Sequence, residues 1–298
     1  MVVVSVLIPT YNCATLLERA IRSVAAQTVA ATATIEVVVV DDGSIDDTAE
    51  CVRDLQRSLP IEIRYAIQDN AGPAAARNRA LGLAAGDLVA FLDADDSWAP
   101  TKLEAQLSMF DRADVGLVYC DVAFVDANGN AIHNYKRKSR IVDGDIVLPL
   151  FRDFFLLTSA VVMRRRLAEH EHGFRSDLPV GEDYDFFLRV LRHCKAGAVA
   201  EKLLLRTVRP DSLSRQDFAL DARVDLETLR RFVRETPDFA AAYPREIAER
   251  IATYHADFAY SLLAHGRRRD ALAQSLASLR TSRNLPALKT LVRAFLPQ

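Results

Sequence analysis

Two rhythms of apolar and polar positions alternate along the first third of the chain. Residues 2–8 form an apolar, β-branched run closed by Pro9, the pattern of a buried strand. Leu16, Leu17, Ala20, Ile21, Val24 and Ala25 then recur at helical spacing. Residues 35–40 repeat the strand pattern and run directly into Asp41-Asp42-Gly43-Ser44. Asp46 or Asp47 can cap the helix that follows, and Asp47 with Glu50 has capping-box spacing. Residues 61–65 alternate like a strand with one exposed face, and Pro73 suits the first turn of a helix reaching about Ala85, with Gly86 as its stop. Residues 88–92 make a further buried strand, and Pro100 to about Arg112 a further helix.

Strand and helix thus alternate four times in about 110 residues, which predicts an α/β, mostly parallel sheet with helices on both faces. Ligands in such sheets sit at the carboxyl ends of the strands. Thr10-Tyr11-Asn12, Asp41 to Ser44 and Asp93 to Asp96 each follow a strand directly and are expected to converge on one crevice. Beyond Val115 the rhythm changes. Residues 116–125 are β-like, Asn128-Gly129 is a turn signal, and residues 158–163 make another strand candidate. This half reads as a mixed or antiparallel extension carrying a second substrate. Gly181-Glu182-Asp183-Tyr184-Asp185 opens a helix whose apolar positions include Phe186, Phe187, Val190 and Leu191. The helix dipole favours acids there, so capping alone explains one of them.

The remainder is helical, broken near Pro237, Pro244, Gly266 and Pro286. Leu285, Leu288, Val292, Phe295 and Leu296 share one stripe of the last helix. Such a stripe fits packing on the parent domain, contact with an anionic membrane, or a subunit interface.

Composition narrows the class. With 50% apolar and 26% charged residues in 298, the chain has the profile of a soluble protein with a full core. The formal net charge is −2, so no global field recruits nucleic acid or membrane. From Ala264 onward six arginines and one lysine face a single acid, Asp270. The four cysteines form no CxxC pair, which argues against a zinc or disulfide framework and fits a reducing compartment. No basic leader opens the chain and no apolar run is long enough to span a bilayer, so a cytoplasmic location is expected.

The chemistry concentrates in Phe91-Leu92-Asp93-Ala94-Asp95-Asp96, where a buried strand ends in three carboxylates within four residues. Such charges repel and are costly to bury without a positive partner. Oxygen ligands of this kind suit Mg²⁺ or Mn²⁺, which also grip phosphate oxygens. The same residues fit a solvated acidic turn with Asp96 or Ser97 as a helix cap. The first βα turn has neither GxGxxG nor a Walker A loop, and the missing GxGxxG argues against a conventional dinucleotide site. A nucleotide can still bind with its base against Tyr11 and Asp41 and its phosphates on a metal at Asp95.

Taken together, the ordered motifs resemble family 2 glycosyltransferases. Ser5-Val6-Leu7-Ile8-Pro9-Thr10-Tyr11-Asn12 and Val40-Asp41-Asp42-Gly43-Ser44-Ile45-Asp46-Asp47-Thr48 are similar to the family's opening. Asn70-Ala71-Gly72-Pro73-Ala74-Ala75-Ala76-Arg77-Asn78 is similar to its next motif. Leu92 to Asp96 with Trp98, Pro100, Lys102 and Leu103 resembles its DxD segment, and Glu182-Asp183 its ED motif.

The resemblance covers about residues 1–215 and implies a GT-A fold, a nucleotide-sugar donor, a divalent metal (Mn²⁺ or Mg²⁺) and inversion at the anomeric carbon. Carried over by position, Pro9, Thr10 and Tyr11 line the nucleoside pocket and Asp41, beside Asp42, binds the base. Asp93 and Ala94 meet ribose or sugar, Asp95 holds the metal, and Arg77 orients the acids or the donor. Asp183 is the expected general base, with Glu182 positioning it. Trp98, Asp121 and Glu182 fall to the acceptor side. Arg209 stands where many relatives carry a histidine that helps bind metal or diphosphate. Arginine cannot ligate metal but pairs with phosphate.

The expected division is therefore a GT-A domain at 1–215, split into a donor half (1–112) and an acceptor half (113–215), with a helical extension at 216–298. UDP, commonest in the family, is the expected nucleotide. The expected acceptor is a glycan or lipid-linked glycan at the inner membrane face, with peripheral contact through the basic tail. A nucleotidyltransferase would want a glycine-rich, basic phosphate loop after the first strand, which residues 9–14 do not provide. A non-catalytic nucleotide-sugar binder or scaffold is the other alternative.

Overall fold

The strand β1 (Val2–Thr10) is hydrogen-bonded on both sides and buried over residues 4–8, all apolar except Ser5. The computed structural model describes residues 2–29, 33–133, 140–208, 218–282 and 285–295. After β1 come α1 (Ala14–Ala25), β2 (Ala33–Asp41), α2 (Thr48–Ser58), β3 (Glu62–Ile67), α3 (Pro73–Leu83) and β4 (Leu88–Phe91). The second half adds β5 (Ser97–Trp98), α4 (Lys102–Leu107), β6 (Val115–Val125), α5 (Val147–Arg152), β7 (Val161–Arg164), α6 (Arg165–His170), α7 (Glu182–Val190) and β8 (Lys195–Thr207).

Among the described residues the sheet has eight strands in the order β3-β2-β1-β4-β7-β6-β8-β5. The first four are parallel. β7 runs antiparallel to both β4 and β6, and β5 antiparallel to β8, so the sheet is mixed. Val4, Val6 and Ile8 pack with Leu17, Ile21 and Val24 of α1 and with Val52 and Leu55 of α2. Each such side chain, fully buried, contributes roughly 1.5–3 kcal/mol. The opposite face of β1 and β2 meets α3.

Several boundaries differ from the pattern, each for a local reason. Asp47 occupies the N-cap of α2 but its side chain makes no capping bond. Asp46 does this instead, accepting from the Thr48 N–H (3.2 Å) and hydroxyl (2.5 Å). α3 ends at Leu83, and Gly86 is not a left-handed stop. A Cβ at Gly86 would lie 2.5 Å from the Val3 carbonyl oxygen, so glycine is required for the chain to pass β1 closely. The helix expected over 100–112 is α4 followed by a tighter turn at Ser108–Asp111. A similar single turn, Thr158–Ala160, replaces the first half of the strand expected over 158–163.

The chain divides into two compact units, 1–147 with 155–176 and 189–209, and 148–154 with 177–188 and 210–298. The boundary expected at 215 lies outside the described residues. The second unit holds α8 (Phe218–Glu235), α9 (Pro237–Ala242), α10 (Pro244–Ala264), α11 (Arg268–Thr281) and α12 (Leu285–Phe295), with Pro237 and Pro244 each opening a helix. Phe151, Phe232 and Phe239 pack ring against ring inside it, and Phe154 stacks on Tyr184. Of the stripe expected on α12, Leu288 and Val292 are the members whose side chains are described. Ala287 and Thr290 are buried, whereas Leu288 and Val292 are 46% and 52% exposed.

Candidate active site

The carboxyl ends of β1, β2 and β4 lie side by side, with Thr10 paired to Asp41 and Leu7 to Phe91. The loops after β1 and β2 are laced together. The Asn12 N–H donates to Ser44 Oγ (2.8 Å), and Asn12 Oδ1 accepts from the Ile45 N–H (2.8 Å). Asn12 adopts φ +48, tolerable for asparagine, to make both bonds. Thr10 is buried while Tyr11 is half exposed beside it. Pro9 lies past the last β4 pair, on the side of β1 facing Val40 of β2.

Asp41 and Asp42 have separate structural environments. Asp41 accepts from the Ser44 N–H (2.8 Å) and the Tyr65 hydroxyl (2.5 Å). Burial and this bond push the Tyr65 phenol above its usual pKa. Asp42, expected among the donor ligands, is 4% exposed and accepts from Gln68 Nε2 and the Ala71 and Gly72 N–H groups at 2.7–2.9 Å. It holds the loop that starts α3, and Asp41, 2% exposed, is buried as deeply.

The acid turn follows β4. Arg77, buried on α3, places Nη2 2.7 Å from Asp93 Oδ1, supplying the positive partner that clustered acids require. The reading of Asp96 or Ser97 as a solvated helix cap fails. Asp96 is 5% exposed, accepts from Ser159 Oγ (2.7 Å) and the Thr207 N–H (3.1 Å), and Ser97 lies in β5. Burial, then the neighbouring Asp95 and Asp93, push the Asp96 carboxyl up to about 8. Thr207 Oγ1 and Arg19 of α1 both donate to the Asp95 carbonyl, tying the turn to the first βα segment. Ala94 is buried in the core.

The acceptor-side residues are placed differently. Trp98 is 2% exposed, its indole N–H on the Ser159 carbonyl (2.9 Å), so its ring walls the core and has no surface for an acceptor. Asp121 sits where the β6–β8 register shifts, beside a cavity of about 10 Å³ lined by Tyr119, Arg140 and Phe155. That volume admits about one water. Glu182 and Asp183 are half-buried in the first turn of α7, within the second unit, and Asp183 Oδ1 accepts from the Tyr184 N–H (2.8 Å). The turn into α7 needs Gly181, whose φ is +72. Arg209 lies outside the described residues. A cleft of about 770 Å³, lined among others by Val2, Ala33, Leu88, Phe110 and Arg164, opens at the opposite, amino-terminal edge of the strands.

Reading the sequence misses Arg19, Tyr65, Ser159 and Thr207, which lock the acids from a distance. Arg19 and Thr207 carry no local signal. Tyr65 does, as an aromatic on a strand neighbouring the Asp41 strand, and so does Ser159, a hydroxyl at the start of a predicted strand.

This α/β architecture, with acids at the carboxyl edge and a helical C-terminal region, is GT-A-like. S. aureus TarS, solved with UDP-GlcNAc, superposes with a TM-score of 0.65 at 17% identity, covering 99% of this chain and 89% of that one. The mannosyltransferase PcManGT from Pyrobaculum calidifontis, solved with GDP-Man and Mn²⁺, gives 0.63 at 22%, covering 97% and 78%. The family model for glycosyl transferase family 2 matches residues 5–172, and the chain belongs to that family of enzymes. An uncharacterized glycosyltransferase of Nostoc sp. is 36% identical over 170 residues, 56% of this chain and 52% of its own length. The succinoglycan biosynthesis protein ExoU of Rhizobium meliloti is 34% identical over 201 residues, 63% of this chain and 56% of its own. The chain thus spans about half the length of these relatives.

Proposed function

We propose that this glycosyltransferase inverts configuration, moving a sugar from a UDP-sugar to a hydroxyl of a glycan or lipid-linked glycan. The observation that carries the reading is the acid turn. Asp93 and Asp95 stand at the carboxyl edge of β4, next to Thr10 and Asp41, with one ion-paired guanidinium among them. Tyr11 offers a half-exposed ring for the base, and Asp41 keeps acceptor capacity for a base N–H. Asp93 receives ribose or sugar hydroxyls while Arg77 holds its other side.

The donor set fits a hard divalent cation. It is all oxygen, with Asp93, Asp95 and Asp96 within four residues of one another. Asp95 would hold Mn²⁺ or Mg²⁺, which supplies positive charge to a leaving diphosphate. The Mn²⁺ in the Pyrobaculum mannosyltransferase structure supports this choice, and the UDP-sugar in the TarS structure supports the nucleotide.

The reaction is a single displacement. The acceptor oxygen bonds to the anomeric carbon, the bond from that carbon to the diphosphate oxygen breaks, and the acceptor proton passes to Asp183. Asp183 stands in the first turn of α7, where a carboxylate is a suitable proton acceptor. Glu182 positions it. Arg209, as a phosphate partner, takes the place of a metal-binding histidine. The names of the ExoU relative and of the minor teichoic acid biosynthesis protein GgaA support a growing glycan or polymer as acceptor. The basic composition of the tail and the exposed Leu288 and Val292 support peripheral membrane contact.

Asp183→Asn tests the base. Transfer should fall by at least 10²-fold while the donor's dissociation constant stays within about threefold. Unchanged turnover would reject the assignment.

A further inference from the structure

A second set of cation-ligating side chains lies apart from the acid turn, within the sheet-bearing unit. α6 ends at His170, and the chain turns sharply through His172 (φ +56) and Gly173 (φ +73). The N–H groups of Glu171, His172 and Gly173 all return to carbonyls of α6 at 2.9–3.2 Å, which fixes His170 and Glu171 next to each other. His193 closes the single turn Leu191–His193 that precedes β8. Its Nε2 lies 2.7 Å from Glu171 Oε1, and its ring stands nearly perpendicular to that of His170, centroids 4.7 Å apart. The three ligand atoms all lie within 4.8 Å of one another.

The group has a built support. Arg189, with its side chain 6% exposed, donates from Nη1 to Glu171 Oε2 (3.2 Å) and to the Glu171 carbonyl (2.6 Å), and from Nη2 to the Gly173 carbonyl (2.8 Å). One carboxylate oxygen is thereby anchored and the other is left with the imidazoles. Burial acts to raise the Glu171 pKa, but Arg189 and His193 hold it below the ordinary value. A ligating carboxylate oriented by a hydrogen-bonding neighbour is the usual outer arrangement of metal sites.

We propose that His170, Glu171 and His193 form a zinc site, with water completing a tetrahedron. Two imidazole nitrogens and one carboxylate oxygen suit a borderline cation, in contrast to the all-oxygen acids at Asp93 and Asp95. Zinc bonds of about 2.0–2.2 Å place tetrahedral ligand atoms about 3.3 Å apart, a spacing these side chains reach by small rotations. Arg189 weakens the attraction for a cation while it fixes the ligand, so the site is a moderate binder. The bound ion would join the end of α6 to the turn before β8 and stabilise the folded chain. This inference is independent of the transfer mechanism.

The test titrates ZnCl₂ into the chelator-stripped, nucleotide-free chain by calorimetry, with millimolar Mg²⁺ present to occupy the acid turn. The expected result is one zinc ion bound per chain and a rise in Tm. His170→Asn and His193→Asn, both at exposed positions, should each weaken zinc binding by at least about 100-fold, the upper end of what losing an outer partner costs. Their metal-free melting and their Mg²⁺-dependent nucleotide binding should match the parent chain. No zinc binding by the parent chain, or equal binding by the parent and both variants, overturns the proposal.

Discussion

Lys102 is wholly buried, its ammonium makes no hydrogen bond, and it lies 3.9 Å over the ring of Trp98. The aromatic face offsets only part of the lost hydration. Burial accordingly brings the Lys102 pKa down from 10.5 to about 8. Between those two pH values the unfolded chain binds a proton that the folded chain does not, so this residue makes stability rise with pH across the window. Lys102→Met, which keeps the aliphatic stem on Trp98, should stabilise the chain by roughly 1–3 kcal/mol at pH 7. In urea titrations at pH 7 and 10 the advantage should shrink at the higher pH. A gap that stays constant would mean the ammonium is solvated in the folded chain.

Local periodicity yields elements well, but what fixes an element's ends is often a residue elsewhere. The four strands and three helices of the first 91 residues follow from apolar spacing together with capping and proline signals. The insertion of β7 between β4 and β6 does not, because strand order is decided by long-range pairing. Nor does the role of Asp42, whose partners lie 26 to 30 residues away. Gly86 is the clearest case. It reads as a helix stop, yet its position is dictated by the Val3 carbonyl and by its N–H bond to Ser5 Oγ (2.8 Å). That serine in turn donates to buried Glu36 (2.5 Å), which the Ala85 N–H also reaches (2.6 Å). Gly86→Ala should therefore cost roughly 2–4 kcal/mol, since backbone atoms cannot yield as a side chain would. Gly82→Ala, inside α3 with nothing within 4 Å of the added carbon, should instead gain about 0.5–1 kcal/mol. Denaturant midpoints of the two variants decide this, and equal effects would contradict the close-passage account.

At the scale of the whole molecule, motif order made the family legible while substrate identity stayed hidden. The acids, the first βα turn and the ED pair are short, local and chemically distinctive. Sugar and acceptor choice depend on surfaces assembled from many positions, and the acceptor half carries fewer such signatures. The last helix illustrates the limit. Its apolar stripe is visible in the sequence, but whether Leu288 and Val292 face a core or the outside depends on how α12 packs on α10 and α11. No helix among the described residues is long and apolar enough to cross a membrane. If the tail anchors the protein at a lipid surface, deleting residues 285–298 should reduce binding to anionic liposomes by about tenfold, with loss that follows salt concentration. Equal sedimentation with and without the segment would rule it out as an anchor.

The central claim is that the acid turn, through a metal at Asp95, holds the diphosphate of a nucleotide-sugar. Calorimetric titration of UDP, dTDP and GDP, each with Mn²⁺, Mg²⁺ or EDTA, into the parent chain and Asp95→Ala tests it most directly. The predicted result is UDP binding that requires the divalent ion and weakens by at least tenfold in the variant. Tight UDP binding that is indifferent both to EDTA and to the substitution would contradict it.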